Sequence, residues 1–318
     1  MGAGPAMTEH ASRRPAGGPG TPGEGPASAP PTVCVFTPTY ERAYILPVLY
    51  KSLVAQTSQD FVWMIVDDGS TDSTEQLVRS WIEEGRIAID YVRTENGGKP
   101  RAINLGVARS SSPLFFVVDS DDWLVPTAIE HVLSVWGRIE GQERYAGIVA
   151  LRGTDEATPM DTWMPEGAAD VKYWDLFETM GFRGDTSLIH RTEVLRRYPY
   201  DVAPGEIFIA ETSVYYRLDE HYDMLADNTI LTICHYLPDG LTHNFAANAK
   251  RNPIGYWKHK RYCAQRSTTL KGVARETLLY LVGCRLAGQR GAISMAPNKA
   301  VALACYLPAL VARHTIFR

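Results

Sequence analysis

The chain has 318 residues, 45% hydrophobic and 21% charged, the balance of an ordinary soluble globular protein with one large domain or two smaller ones. A formal net charge of −4 gives no reason to expect a nucleic-acid partner. The five cysteines (Cys34, Cys234, Cys263, Cys284, Cys305) are odd in number and form no CxxC pair, so they read as buried reduced thiols of a cytosolic protein and not as a zinc site.

Residues 1–31 are mostly Gly, Pro, Ala and Ser. No apolar segment follows Arg13-Arg14, so the stretch reads as a disordered tail and not as a signal peptide. From residue 33 to about 150, strands alternate with helices. "VCVFT" (33–37) is a short apolar strand, followed by a helix with Ile45, Leu49 and Leu53 on one face. "FVWMIVD" (61–67) is a second strand, closed by the turn "DGST"; the next helix has Ser73 and Gln76 at capping-box spacing. "IAIDYV" (87–92) is a third strand, and "NGGKPRAINLGVA" is a Gly-rich loop entering a helix, with Pro100 suited to its first turn. "LFFVVD" (114–119) is a fourth strand, and Pro126 opens a further helix.

Strands that are apolar throughout and alternate with helices imply a parallel sheet covered on both faces. In the common order 3-2-1-4, the first and fourth strands are neighbours where strand order reverses, and ligands bind beyond their carboxyl ends. The loops "TPTYER" (37–42) and "DSDDW" (119–123) would then face each other, beside Asp67 and Asp68. After residue 150 the pattern blurs. A helix is expected at 192–197, then a helix, two short strands and a polar turn between about 210 and 244, and mainly helix from about 253 onward. The longest apolar run, "AVALACYLPALVA" (300–312), is too short to span a bilayer and is interrupted by Pro308; it suits a core or partner-facing helix, or one lying on a membrane surface.

Asp119, Asp121 and Asp122 crowd three like charges at a strand tip. They fit a divalent-cation site, a pair of acid/base carboxylates, or a solvated turn. The second acidic pair and the Gly-rich loop between the two tip the balance towards a cation and a diphosphate.

"VFTPTYERAYIL", "VDDGSTDST", "ENGGKPRAINLGVARS" and "VVDSDDWLVP" together resemble the successive motifs of family 2 glycosyltransferases of the GT-A fold, in order and spacing, over about 100 residues. "GDTSLIHRTEVLRRYPY" and the stretch from Gly205 resemble, more loosely, a bacterial subgroup. The resemblance implies an α/β GT-A domain at 32–250, with a nucleotide-sugar half (32–125) and an acceptor half (126–250), and a helical extension at 251–318. It further implies a cytoplasmic, inverting, metal-dependent hexosyltransferase using Mn2+ or Mg2+. The donor would be a UDP-sugar such as UDP-GlcNAc, UDP-GalNAc or UDP-glucose, and the acceptor a glycan, a lipid-linked intermediate or a small secondary metabolite.

Carried over by position, Thr37, Pro38, Tyr40 and Glu41 would line the nucleoside pocket. Asp68 would meet the uracil, Asp67 would support the loop, and Lys99 would help hold the donor, with Asn96, Gly97, Gly98 and Arg101 shaping its surroundings. Asp119 and Ser120 would contact the ribose side, Asp121 would ligate the metal, and Asp122 would be a second ligand or stand behind it. An inverting transfer needs a base for the acceptor hydroxyl. The family's "ED" motif reads "ET" here, leaving Glu211 as first choice, with Thr212 in place of the aspartate and Asp185 as the alternative. His243 is a candidate third metal ligand.

The basic, aromatic-rich "YWKHKRYCAQR" (256–266) and the end of the chain suit a cap over the acceptor cleft, a homodimer contact, or docking on the inner face of an anionic membrane. Two rival readings are a sugar-phosphate nucleotidyltransferase, which would want glycine and arginine straight after the first strand, and a catalytically inactive binding protein, for which "ET" is the only support.

Overall fold

The computed structural model describes residues 1–2, 29–235, 245–315 and 317. Most of the expected disordered tail, and His243, lie outside the described residues. The first half alternates as its apolar periodicity requires: β1 (Val33–Thr39), α1 (Leu46–Val54), β2 (Phe61–Asp67), α2 (Thr74–Glu84), β3 (Ile89–Arg93), α3 (Lys99–Arg109) and β4 (Leu114–Val117). There follow β5 (Trp123–Leu124), α4 (Ala128–Trp136), β6 (Tyr145–Gly153), β7 (Asp170–Val171), α5 (Tyr173–Glu178), β8 (Thr186–Arg191), α6 (Thr192–Arg197), α7 (Thr212–Leu218) and β9 (Asp223–Ile233). The last group is helical: α8 (Phe245–Arg251), α9 (Pro253–Arg266), α10 (Leu270–Leu286), α11 (Ala292–Met295) and α12 (Lys299–Thr315).

One mixed sheet runs β3-β2-β1-β4-β8-β6-β9-β5, with β7 paired to β9. Its first four strands are parallel and in the expected order. β8 is antiparallel to both β4 and β6, which keeps β6 aligned with β1. The chain winds outward from β1 to β3 and then returns to place β4 on β1's other side. The carboxyl ends of β1 and β4 therefore open a shared crevice.

Packing holds this half together. Val33 to Phe36 are wholly buried, and Tyr50 of α1 stacks on Trp81 of α2 at 4.3 Å, with Trp63 of β2 stacked at 5.8 Å from Trp81. Both helices are thereby fixed to one sheet face, and truncating Trp63 to Ala would cost about 3–5 kcal/mol. α3 lies unusually close to β1 because Gly106 faces the Phe36 ring; any Cβ there would overlap it. That close approach sets the height at which Lys99, the first residue of α3, meets the crevice.

Three local expectations change. Ser73 precedes α2 but makes no side-chain cap bond; Asp72 Oδ1 accepts the Thr74 N–H at 3.0 Å instead. α4 starts at Ala128, two residues after Pro126. The two short strands expected before residue 234 are one 11-residue strand, β9, whose register against β6 shifts at several points, so its polar residues fall at irregularities and not at a turn. All five cysteines are free thiols, four of them buried.

Candidate active site

The crevice is built from the ends of β1, β2 and β4, the start of α3, and the N-terminus of α7. Asp67 is fully buried; its carboxylate accepts the Ser70 N–H at 2.8 Å and the Tyr91 hydroxyl at 2.7 Å, which holds the "DGST" turn. Asp68 uses both oxygens to accept the N–H groups of Gly97 and Gly98, at 2.7 and 2.8 Å. Burial pushes its pKa up, against these two bonds. Asp68 thus pins the Gly-rich loop that delivers α3. Gly98 adopts φ +90°, and a side chain on it would overlap the Ile207 backbone. Arg101 closes the same junction by donating to the carbonyls of Gly97 and Glu206.

The first loop is held differently from the expectation. Thr37 and Pro38 are buried inside β1, and the Thr37 hydroxyl accepts from Trp63 Nε1 at 3.0 Å. The Thr37 side chain is therefore packed in the core. The buried hydroxyl at the strand end that has no partner among the described residues is Thr39 Oγ1. Tyr40 is half exposed at the rim. Glu41, at φ +54°, accepts from the Thr71 N–H and hydroxyl, tying the first loop to the "DGST" turn.

Lys99 joins the two halves. Its Nζ lies 2.5 Å from Asp119 Oδ1 and 2.6 Å from Glu211 Oε1. Burial alone would lower the Lys99 pKa, but Asp119 and Glu211 raise it well above the ordinary range. Glu211 stands at the N-terminus of α7 and also accepts the Tyr215 hydroxyl at 3.0 Å. Thr212 faces the other way, its hydroxyl 3.1 Å from His259 Nε2 of α9. The residue that departs from the "ED" pattern thus contacts the C-terminal helices.

The second cation is Arg152, at the end of β6. It donates to Asp122 at 2.9 Å and lies 3.4 Å from Asp119. Burial would raise the Asp119 pKa, yet Lys99 and Arg152 together bring it down to about 2. Burial, with Asp119 and Asp121 nearby, pushes Asp122 up to about 7 in spite of Arg152. Asp121 is raised by burial and by Asp119; no ion pair holds its side chain among the described residues. Ser120 is buried between them. Asp185 lies at the foot of β8, where its carbonyl accepts the Arg152 N–H at 3.0 Å.

Arg152 escaped the sequence reading. A charged residue ending the apolar run "YAGIVALR" was the available signal, because a buried arginine requires acidic partners.

A family model for glycosyl transferase family 2 matches residues 34–191, which carry β1 to β8 and the acidic cluster. The chain belongs to glycosyl transferase family 2. Among curated relatives of this family 2 chain, the validoxylamine A glucosyltransferase of Streptomyces hygroscopicus subsp. jinggangensis is 37% identical over 114 residues, 35% of this chain and 26% of that one. An uncharacterized glycosyltransferase of Rickettsia prowazekii is 29% identical over 113 residues, 36% of this chain and 34% of its own. The matches thus span about a third or less of those relatives' lengths. Solved structures share the fold. S. aureus TarS in complex with UDP-GlcNAc aligns with TM-score 0.55 and 14% identity over 89% of this chain and 91% of that one. The mannosyltransferase PcManGT from Pyrobaculum calidifontis, in complex with GDP-Man and Mn2+, aligns with TM-score 0.54 and 17% identity over 91% and 82%. The family 2 chain therefore has the expected mixed α/β GT-A architecture with additional C-terminal helices.

Proposed function

We propose that this chain is an inverting glycosyltransferase that moves one sugar from a nucleotide-sugar donor, a UDP-sugar in the first instance, to an acceptor hydroxyl. One observation carries the reading: a single ammonium, Lys99 Nζ, joins a carboxylate of the acidic cluster to the carboxylate on the acceptor-side helix. A donor site and a proton acceptor then lie within one side chain's reach. Family membership speaks against the nucleotidyltransferase alternative.

The residues fit a divalent cation shared with a substrate. Among the described residues no cluster of three or more His, Cys, Asp or Glu forms a protein-only cage. Asp119, Asp121, Asp122 and Glu211 nevertheless crowd four carboxylates together; Lys99 and Arg152 pair with three of them, and Arg42 and Lys99 reach Asp121 only through space. Asp121, the acid without an ion pair, would hold Mn2+ or Mg2+ together with diphosphate oxygens, and Asp122 would stand behind it on Arg152. When bound, the cation supplies neutralisation of the departing diphosphate.

The chain's own groups supply the rest. Asp68 and Arg101 fix the loop that carries Lys99, and Thr39 Oγ1 offers a free hydroxyl at the donor end. Asp119, kept ionised, is available to the ribose side. Glu211 takes the acceptor proton; Lys99 and the Tyr215 hydroxyl orient it. Asp185 is the alternative base. The division into a donor half (32–125), an acceptor half (126–250) and a helical extension is part of this reading, as is a cytoplasmic enzyme acting on a glycan, lipid-linked or small-molecule acceptor.

Calorimetry with UDP, with and without Mn2+, beside a UDP-release assay over a panel of UDP- and GDP-sugars, tests the proposal. Metal-enhanced UDP binding with donor turnover is expected. Binding without turnover on any donor would establish the inactive binding protein instead, and no UDP binding would remove the donor assignment.

A further inference from the structure

The C-terminal helices carry a charge opposite to the rest of the molecule. Residues 251–318 hold 12 Lys and Arg against a single acid, Glu276, a formal +11, whereas residues 1–250 hold 20 against 35, a formal −15. Some of these cations are used internally: Lys260 and Arg275 pair with Glu276, Arg266 with Asp219, and Lys258 with Asp201. Lys271, Arg285, Arg290 and Lys299 are exposed, with no ion pair to an acid among the described residues.

α12 is amphipathic in the inverse sense. Ala302, Ala309 and Ala312 face α10 and are buried, so the small side chains point inward. Its outer face is Ala300, Leu303, Ala304, Leu307, Pro308 and Val311, with Leu303, Leu307 and Val311 exposed at 67%, 71% and 64%. The helix contains no acidic residue, begins at Lys299 and ends with Arg313 and His314. Arg285 of α10 reaches Tyr306 of α12, and Leu270, 78% exposed, stands beside Lys271 at the start of α10. A contiguous apolar stripe of this kind, kept in water, marks an interaction surface. Among the described residues no helix is long and apolar enough to cross a membrane.

We propose that the outer face of α12, with the cations that flank it, docks the enzyme flat on an anionic phospholipid bilayer. Leucine and valine would enter the headgroup boundary while Lys271, Arg285, Arg290 and Lys299 meet lipid phosphates. Charge selects this occupant over a second copy of the same face, which would set the exposed Lys271, Arg285, Arg290 and Lys299 against the same four cations. The inference does not depend on the donor-site reading, since α12 contributes no residue to the crevice.

Sedimentation of the full chain with phosphatidylcholine vesicles, and with vesicles containing about 30 mol% phosphatidylglycerol, tests it. Binding is expected to the anionic vesicles only, and to fall at least about fivefold between 0.1 and 0.5 M salt. The double variant Leu303→Glu/Leu307→Glu changes only exposed positions; it should lose about tenfold or more of the vesicle binding and keep its thermal midpoint. Three results would overturn the proposal: no binding to anionic vesicles at low salt, equal binding to both vesicle types, or undiminished binding by the double variant. Sedimentation velocity separates the remaining occupant. Conversion of a dimer to a monomer by the same variant, with vesicle binding intact, would assign the face to self-association.

Discussion

Lys99 Nζ sits 2.6 Å from Glu211 Oε1 although Lys99 opens α3 and Glu211 precedes α7, far apart in the chain. The same nitrogen holds Asp119, so removing it leaves two carboxylates facing each other in a largely buried setting. Lys99→Met should lower stability by about 3–5 kcal/mol and donor turnover by at least about 100-fold. Adding Glu211→Gln should restore part of the stability and none of the turnover. Urea unfolding of the four members of the cycle gives the coupling directly.

Glu211→Gln by itself should lower kcat by about 10²–10⁴-fold while UDP affinity stays near wild type. Asp185→Asn should cost less than tenfold by the same comparison. Measuring both with the same donor decides the base, and a larger loss for Asp185→Asn would reverse the assignment.

Asp121→Asn should abolish the enhancement of UDP binding by Mn2+ and leave metal-free binding unchanged. Calorimetry at fixed UDP with and without Mn2+ reads this. If the enhancement survives, the cation is held elsewhere in the cluster.

Arg152→Leu should be strongly destabilising, by about 3–5 kcal/mol, because it strands Asp122 against Asp119 and Asp121. Arg152→Leu/Asp122→Leu should recover most of that loss. Thermal unfolding of the single and double variants is the measurement.

Two buried histidines weaken the fold in acid. Burial pushes His190 down to about 4; burial, and then the neighbouring Lys260, push His259 down to about 3, both from 6.5. Both are neutral in the folded chain but protonated in the unfolded chain below pH 6.5, so the unfolded state binds more protons in that window. Their contribution is fully present above pH 6.5 and falls as pH drops towards 4, by about 1.4 kcal/mol per pH unit for each. Asp122, pushed up to about 7, and Asp219, pushed up by burial to about 6, act in the opposite sense in the same window, so the variant isolates the histidine: His259→Gln should raise the urea midpoint at pH 4.5 relative to that at pH 7, compared with the wild type.

The first half of the fold was legible in the sequence because its signals are local. Four apolar runs separated by amphipathic helices leave few topologies, and their order fixes which loops face each other. A motif position does not reveal which way a strand residue points: the Thr37 hydroxyl belongs to Trp63, and Thr39 Oγ1 has no partner among the described residues. The second half was less legible. Arg152 meets the aspartates through pairing of β6 with β8, and Glu211 meets Lys99 through the placement of α7. Both are contacts between distant segments that no periodicity announces. The threonine at 212 was a visible departure, yet only its contact with His259 shows that it faces α9 and away from the crevice.

Gly98 has a consequence for how such enzymes are recombined. Its backbone fits against Ile207 with no space for a side chain, and nearby Arg101 and Asn104 bond to the carbonyls of Glu206 and Tyr200. The seam between the start of α3 and residues 200–207 is therefore shaped residue by residue. Grafting a foreign second half onto the strands and helices up to β4 would require residues 200–211 to travel with α3, as one inherited unit.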